Sequence, residues 1–157
     1  MLLSIDPSST RTGWAIGDTE IVAAGAITGR GKDYVKRSVN MKEKLCDLIC
    51  NHDATSVIIE IPNGKTHGRL HGKNISGLPV YGFAVGMLYS ILEYHFHDIN
   101  YVDQNTWTRG HNKTYRKPIA MQLYPEYANM TDSGGDIADA ICLWEFWVKQ
   151  QMVKESK

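Results

Sequence analysis

The chain is short of cysteine, holding three, carries no formal net charge, and has no apolar run approaching the ~20 residues of a membrane span. Each shortage excludes something. Without a long apolar run, and without a basic region leading into an apolar core near the start, neither a membrane helix nor a secretion signal is expected, and a cytoplasmic address follows. Cys46, Cys50 and Cys142 form no C-x-x-C pair and leave an odd thiol. Cys46 and Cys50 stand four apart in an apolar helical pattern, which suits core thiols better than ligands or a disulfide. No repeats or low-complexity tracts occur.

What is present is ordinary globular material. Apolar residues make up 43% and charged residues 22% of 157 positions, enough for one domain over 1–157 burying roughly 70% of its unfolded surface. The charge is unevenly spread. Between 61 and 120 stand seven Lys/Arg against three Asp/Glu, and the remainder holds ten basic against fourteen acidic residues. One stretch is therefore basic and the rest acidic.

Apolar runs at 2–6, 12–17 and 20–27, with a turn at Gly17-Asp18, predict a three-stranded meander. Apolar residues recur at helical spacing from Asp33 to Cys50, and "SVIIEI" at 56–61 reads as a buried strand closed by Pro62-Asn63-Gly64. Residues 62–77 are rich in Gly, Lys and His without periodicity. Pro79 to Phe96 suits a buried helix, with Gly82 and Gly86 four apart where another backbone can approach. "INYVD" at 99–103 predicts a fifth strand, and Pro118 suits the first turn of a short helix over 117–124 that Pro125 ends. A last helix runs from near Gly135 to about Val153. The expected fold class is α/β, with a five-stranded mixed sheet flanked by helices.

Four carboxylates stand out within this frame. Asp6 ends the first strand and Glu60 nearly ends the fourth, so parallel pairing of those strands brings both to the sheet edge where α/β folds place ligands. Asp136 and Asp139 lie three apart at the start of the last helix and share one face. Ile137, Ile141, Trp144 and Val148 are the core material opposite. Crowded like charges persist only when neutralised. Hard divalent cations take oxygen ligands, and two of them about 4 Å apart activate a water and stabilise the leaving oxygen of a phosphodiester. Plainer readings exist: Asp136 alone suits the helix dipole, and Asp6 before Pro7 suits a turn. Glu60 is harder to set aside, because an acid inside "VIIEI" interrupts a strand that otherwise reads as buried on both faces.

"SIDPSSTRTGWAI", "VIIEIP" and "GGDIADAICL" resemble, in order and at similar intervals over nearly the whole chain, the motifs of the RuvC-type Holliday junction resolvases. The resemblance implies a ribonuclease H-like fold, a homodimer, and paired nicking of four-way DNA junctions in recombination and repair, with Mg²⁺ or Mn²⁺, two ions per site. It assigns the catalytic and metal-binding acids to Asp6, Glu60, Asp136 and Asp139, and places Lys113 and Lys117 near the scissile phosphate. DNA contacts are expected from Lys65, His67, Arg69, His71, Lys73, Arg109, Lys113, Arg116 and Lys117. Bacterial members carry an aromatic or apolar wedge soon after the glutamate, where this chain has "IPNGKTHGRLHGKNISG", and this departure resembles a bacteriophage-type relative. The apolar helix from Pro79 to Phe96 is the candidate dimer face.

His67 and His71, interleaved with Gly64, Gly68 and Gly72, suit phosphate contacts or solvent better than a helical metal pair. His111 is open between the same readings. Trp107 and Tyr115 flank the basic "WTRGHNKTYRK" and can stack on bases, although packing on the sheet is the commoner fate of such a Trp. Other functions stay open: a broader nuclease for flaps and branched DNA, a non-catalytic junction-binding module, or a fragment of an actin-like ATPase whose phosphate loop is "DPSSTRTG". That last class needs two such domains. The silent module fits poorly with four acids near phosphate.

Overall fold

The structure is a computed structural model that describes residues 1–61, 77–108 and 113–155. Its centre is one sheet of β1 (Leu2–Asp6), β2 (Arg11–Gly17), β3 (Ile21–Thr28), β4 (Ser56–Ile61) and β5 (Ile99–Asp103), in the order β3-β2-β1-β4-β5. The first three strands pair antiparallel as the expected meander, while β1–β4 and β4–β5 are parallel. Parallel neighbours need crossovers, and these are α1 (Tyr34–Asn51) and α2 (Gly77–His95). Asp33 caps α1, its carboxylate accepting from the Lys36 amide at 2.8 Å. Fold class, the meander and the β1–β4 pairing thus follow the sequence reading, and the structure adds β5 beside β4.

Alternation along the strands decides which residues meet which layer. Leu3 and Ile5 of β1 pack with Val57 and Ile59 of β4 against Met41, Leu45 and Ile49 of α1 and Leu88 and Leu92 of α2. The intervening residues face the other way. Leu2, Ile58 and Val102 pack with Trp107 of α3 (Gln104–Trp107), Ala120 of α4 (Lys113–Leu123), and Ile137, Ala138 and Ile141 of α5 (Asp136–Glu155). Ser4 belongs to this second face, and its hydroxyl donates to the Ala140 carbonyl at 2.8 Å, fixing α5 on β1. By the period of two, Asp6 and Glu60 then point toward α4 and α5.

Two expectations are corrected. The short helix runs Lys113–Leu123, so Pro118 lies inside it and not in its first turn. Pro118 is exposed, and the carbonyl four residues earlier, deprived of its donor, is open to water on that side. Pro125 does end this helix, but it also opens a 3-10 helix over Pro125–Asn129. Cys50 is not a core thiol, being exposed, while Cys46 is half-buried against the margin of the core. Among the described residues, no helix is long and apolar enough to cross a membrane.

Candidate active site at the sheet edge

β1 and β4 run in register, with Ile5 opposite Ile59, so the next pair along the strands is Asp6 and Glu60 at the same edge. Asp6 also faces Gly13 across the β1–β2 ladder. Gly13 is what lets the last helix start here: a Cβ on it would fall 1.9 Å from the Asp136 carbonyl oxygen. The chain reaches that position through Gly135, whose φ of 84° lies in the left-handed region that favours glycine. "GGD" is therefore a turn requirement that sets Asp136 and Asp139 beside β1 and β2.

Glu60 is 7% exposed, and its Oε2 accepts from Trp107 Nε1 at 2.7 Å. Burial pushes its carboxyl up to about 7; the Trp107 bond pulls the other way, and the charge of Asp139 adds to the rise. Burial, then the charges of Glu60 and Asp6, raise the Tyr81 phenol of α2 to about 12. The Tyr81 phenol thus senses Glu60 and Asp6, and the Glu60 carboxyl senses Asp139. Asp136 lies one helical turn before Asp139.

Two arginines compensate the aspartates. Arg116 Nη1 meets Asp139 Oδ2 at 2.7 Å, both side chains nearly buried, and its guanidinium lies 4.9 Å from the centre of the Trp107 ring. Arg11 Nη1 bridges Asp136 Oδ2 and Asp132 Oδ1, each at 2.9 Å, while its Nη2 donates to the Thr131 carbonyl. Asp132 is a structural hub. Its Oδ2 accepts from the Tyr127 hydroxyl at 2.9 Å and from the Ala138 amide at 3.1 Å, the latter in the first turn of α5. Burial works to raise its carboxyl, but these hydrogen bonds and the one from Arg11 outweigh it and hold it below the usual carboxylate range.

The expected site residues therefore divide. Asp6 and Glu60 end neighbouring parallel strands at one edge, Asp139 acts on Glu60 as a charge, and Asp136 is turned to Arg11. Lys117, expected near a phosphate, donates from Nζ to the Asp132 carbonyl at 2.6 Å. Arg116, expected on a DNA-facing surface, is 8% exposed and turned inward to Asp139. A fixed ion pair over an aromatic ring replaces the expected free cation there. Lys113 opens α4. Lys65, His67, Arg69, His71, Lys73, Arg109 and His111 lie outside the described residues. Trp107 is buried and bonded to Glu60, whereas Tyr115 is exposed. Arg11, Tyr81 and Asp132 were missed by sequence reasoning; only the acid pair Asp132 and Asp136 astride Gly-Gly carried a signal.

The donor set is all oxygen, drawn from carboxylates crowded at one edge, and this is the chemistry that hard divalent cations take. The fit is good for Mg²⁺ or Mn²⁺, because Glu60 holds its negative charge reluctantly without a positive partner.

A five-stranded mixed sheet with this order and flanking helices is the ribonuclease H-like fold. The structure is similar to that of Thermus thermophilus RuvC in complex with a Holliday junction substrate, with a TM-score of 0.72 at 11% identity over 96% of both chains. It is similar also to a second Thermus thermophilus RuvC structure, with a TM-score of 0.67 at 12% identity over 96% of both chains. No protein-family model matches the sequence, and no curated protein sequence does either.

Proposed function

We propose that this chain is a metal-dependent, structure-selective DNA endonuclease that resolves four-way junctions by paired nicking, in the manner of a bacteriophage-type RuvC relative. The observation that carries the reading is the parallel pairing of β1 and β4, which sets Asp6 and Glu60 at one edge of a sheet of the RuvC fold. Asp6, Glu60, Asp136 and Asp139 are the residues to hold Mg²⁺ or Mn²⁺. Two such ions, when bound, lower the pKa of an attacking water and neutralise charge on the phosphate.

The chain's own contribution is orientation and charge. Trp107 fixes the Glu60 carboxylate in one rotamer, and its buried ring excludes water from behind the site. Arg116 pairs with Asp139 and Arg11 with Asp136, which fixes where both carboxyl groups point. Lys113, Lys117, Arg109 and the basic residues Lys65, His67, Arg69, His71 and Lys73 are proposed to line the DNA backbone. A four-way junction has twofold symmetry, which a homodimer with two sites matches. The face of α2 with Gly82, Phe83 and Gly86 is exposed, and among the described residues nothing lies within 4 Å of where a Cβ would stand on either glycine, which supports it as the dimer contact.

The test is cleavage of an end-labelled four-way junction beside linear duplex and a flap, with Mg²⁺, Mn²⁺ or chelator, using the wild type and Glu60→Gln. Metal-dependent paired nicks on the junction that vanish in the variant are expected. Equal cutting of all branched substrates would replace the reading with a broader branched-DNA nuclease. Junction binding without cutting in either metal would overturn catalysis.

A further inference from the structure

Away from the carboxylates, α1 and α2 bring three soft-donor side chains together. Cys46 and Cys50 stand one turn apart near the end of α1, and His95 is the last residue of α2. Their ligating atoms all lie within 4.8 Å of one another, with Cys46 Sγ and His95 Nε2 3.5 Å apart. We propose that Cys46, Cys50 and His95 form a binding site for a thiophilic divalent cation of the Zn²⁺ class, with a water completing the coordination.

Geometry supports a shared ion over a simple contact. With Zn–S near 2.3 Å and Zn–N near 2.0 Å at a tetrahedral angle, the sulfur and nitrogen of a zinc site stand about 3.5 Å apart. The observed Cys46–His95 spacing already matches, so only the Cys50 thiol has to swing in. A disulfide suits the pair less well: residues four apart on a helix keep their Cβ atoms about 5–6 Å apart, whereas a disulfide needs about 3.5–4.5 Å. Sulfur and imidazole ligands also separate this site chemically from the all-oxygen edge, which selects Mg²⁺-like ions.

The scaffold is rigid enough to hold the ligands. Leu45 and Ile49, next to the two cysteines, and Leu92 and Phe96, either side of His95, are buried in the same core cluster. Both helices run back from the carboxylate edge to the start of the next parallel strand, so their C-terminal ends meet at the opposite edge of the sheet. A cation there would clamp the two crossovers to each other far from Asp6 and Glu60. The half-buried to exposed position of the ligands leaves an entry path and room for the water.

Co²⁺ titration of the chelator-stripped full chain tests this, because a thiolate–Co²⁺ charge-transfer band in the near ultraviolet distinguishes sulfur ligation from carboxylate binding. The expected result is a band that saturates at one Co²⁺ per chain and is abolished by Zn²⁺. It should be lost in Cys46→Ser/Cys50→Ser, weakened in His95→Asn, and unchanged in Glu60→Gln. Cys50→Ser alone, at an exposed position, gives the same loss without disturbing the core. Absence of the band, its persistence in the double variant, or a Cys46–Cys50 disulfide found by mass spectrometry of the purified chain would overturn the proposal.

Discussion

Glu60→Gln should stabilise the metal-free chain while it destroys the proposed activity. The buried carboxyl of Glu60 is raised from 4.5 to about 7, chiefly by loss of hydration. At pH 8 the native state must carry the charge anyway, and displacement of that size disfavours the charged form by about 3 kcal/mol. Glutamine has nearly the same shape, no charge, and a carbonyl oxygen that can still accept the Trp107 Nε1 hydrogen. The gain is therefore about 2–3 kcal/mol at pH 8, or roughly 5–10 °C in Tm for a chain of this size. The sign follows from proton counting. A raised acid pKa means that the native state binds more protons than the unfolded one between 4.5 and about 7. The wild-type protonated carboxyl thus contributes fully below 4.5, and that contribution is lost as pH rises through about 7. The gap between variant and wild type should be wide at pH 8 and close near pH 4.5. Thermal melts in EDTA across that range measure it. A gap that does not change with pH, or a variant less stable than wild type at pH 8, would refute the assignment of Glu60 as a charge held against its environment.

Two further substitutions probe the frame around the site. Gly13→Ala places a methyl 1.9 Å from the Asp136 carbonyl, which only backbone movement can relieve; a loss of about 1–3 kcal/mol or more in melts, with loss of junction cleavage, is expected, and a variant equal to wild type in both would show that α5 does not need this approach. Asp132→Ala strands the buried Tyr127 hydroxyl and the Ala138 amide, costing about 1–3 kcal/mol for each, with Asp132→Asn intermediate. Because the Asp132 pKa is lowered, its charge stabilises the chain above the unfolded value near 3.9 and ceases to as pH falls through the folded one, so wild type and Asp132→Asn should converge in acid melts.

The sheet was legible because its signals are local. Alternation, a Gly-Asp turn and a capping Asp33 each act within a few residues, and apart from the start of α4 the strand and helix limits agree with the structure to within about two residues. Pro118 misled because the rule placing proline in a first turn holds only where its missing donor matters; on the exposed side of α4 water can serve the orphaned carbonyl. Cys50 misled for a related reason, since helical spacing tells which residues share a face but not whether that face is covered. Cys46 and Cys50 lie on the flank of α1, with His95 as neighbour.

The acids themselves could be read from motif and spacing, but their compensation could not. Arg11 reaches Asp132 and Asp136 across 121 and 125 residues, and Trp107 reaches Glu60 across 47, so nothing in the local sequence couples them. Yet these partners decide how each carboxylate is held. Asp136 and Asp139 each stand against a guanidinium, while Glu60, with one indole donor and the repulsion of Asp139, sits at the edge of protonation. The four acids are therefore not equivalent. A cation arriving at this edge has to displace a proton from Glu60 and share two aspartates with arginines, which makes Glu60 the member whose charge state couples the site to pH.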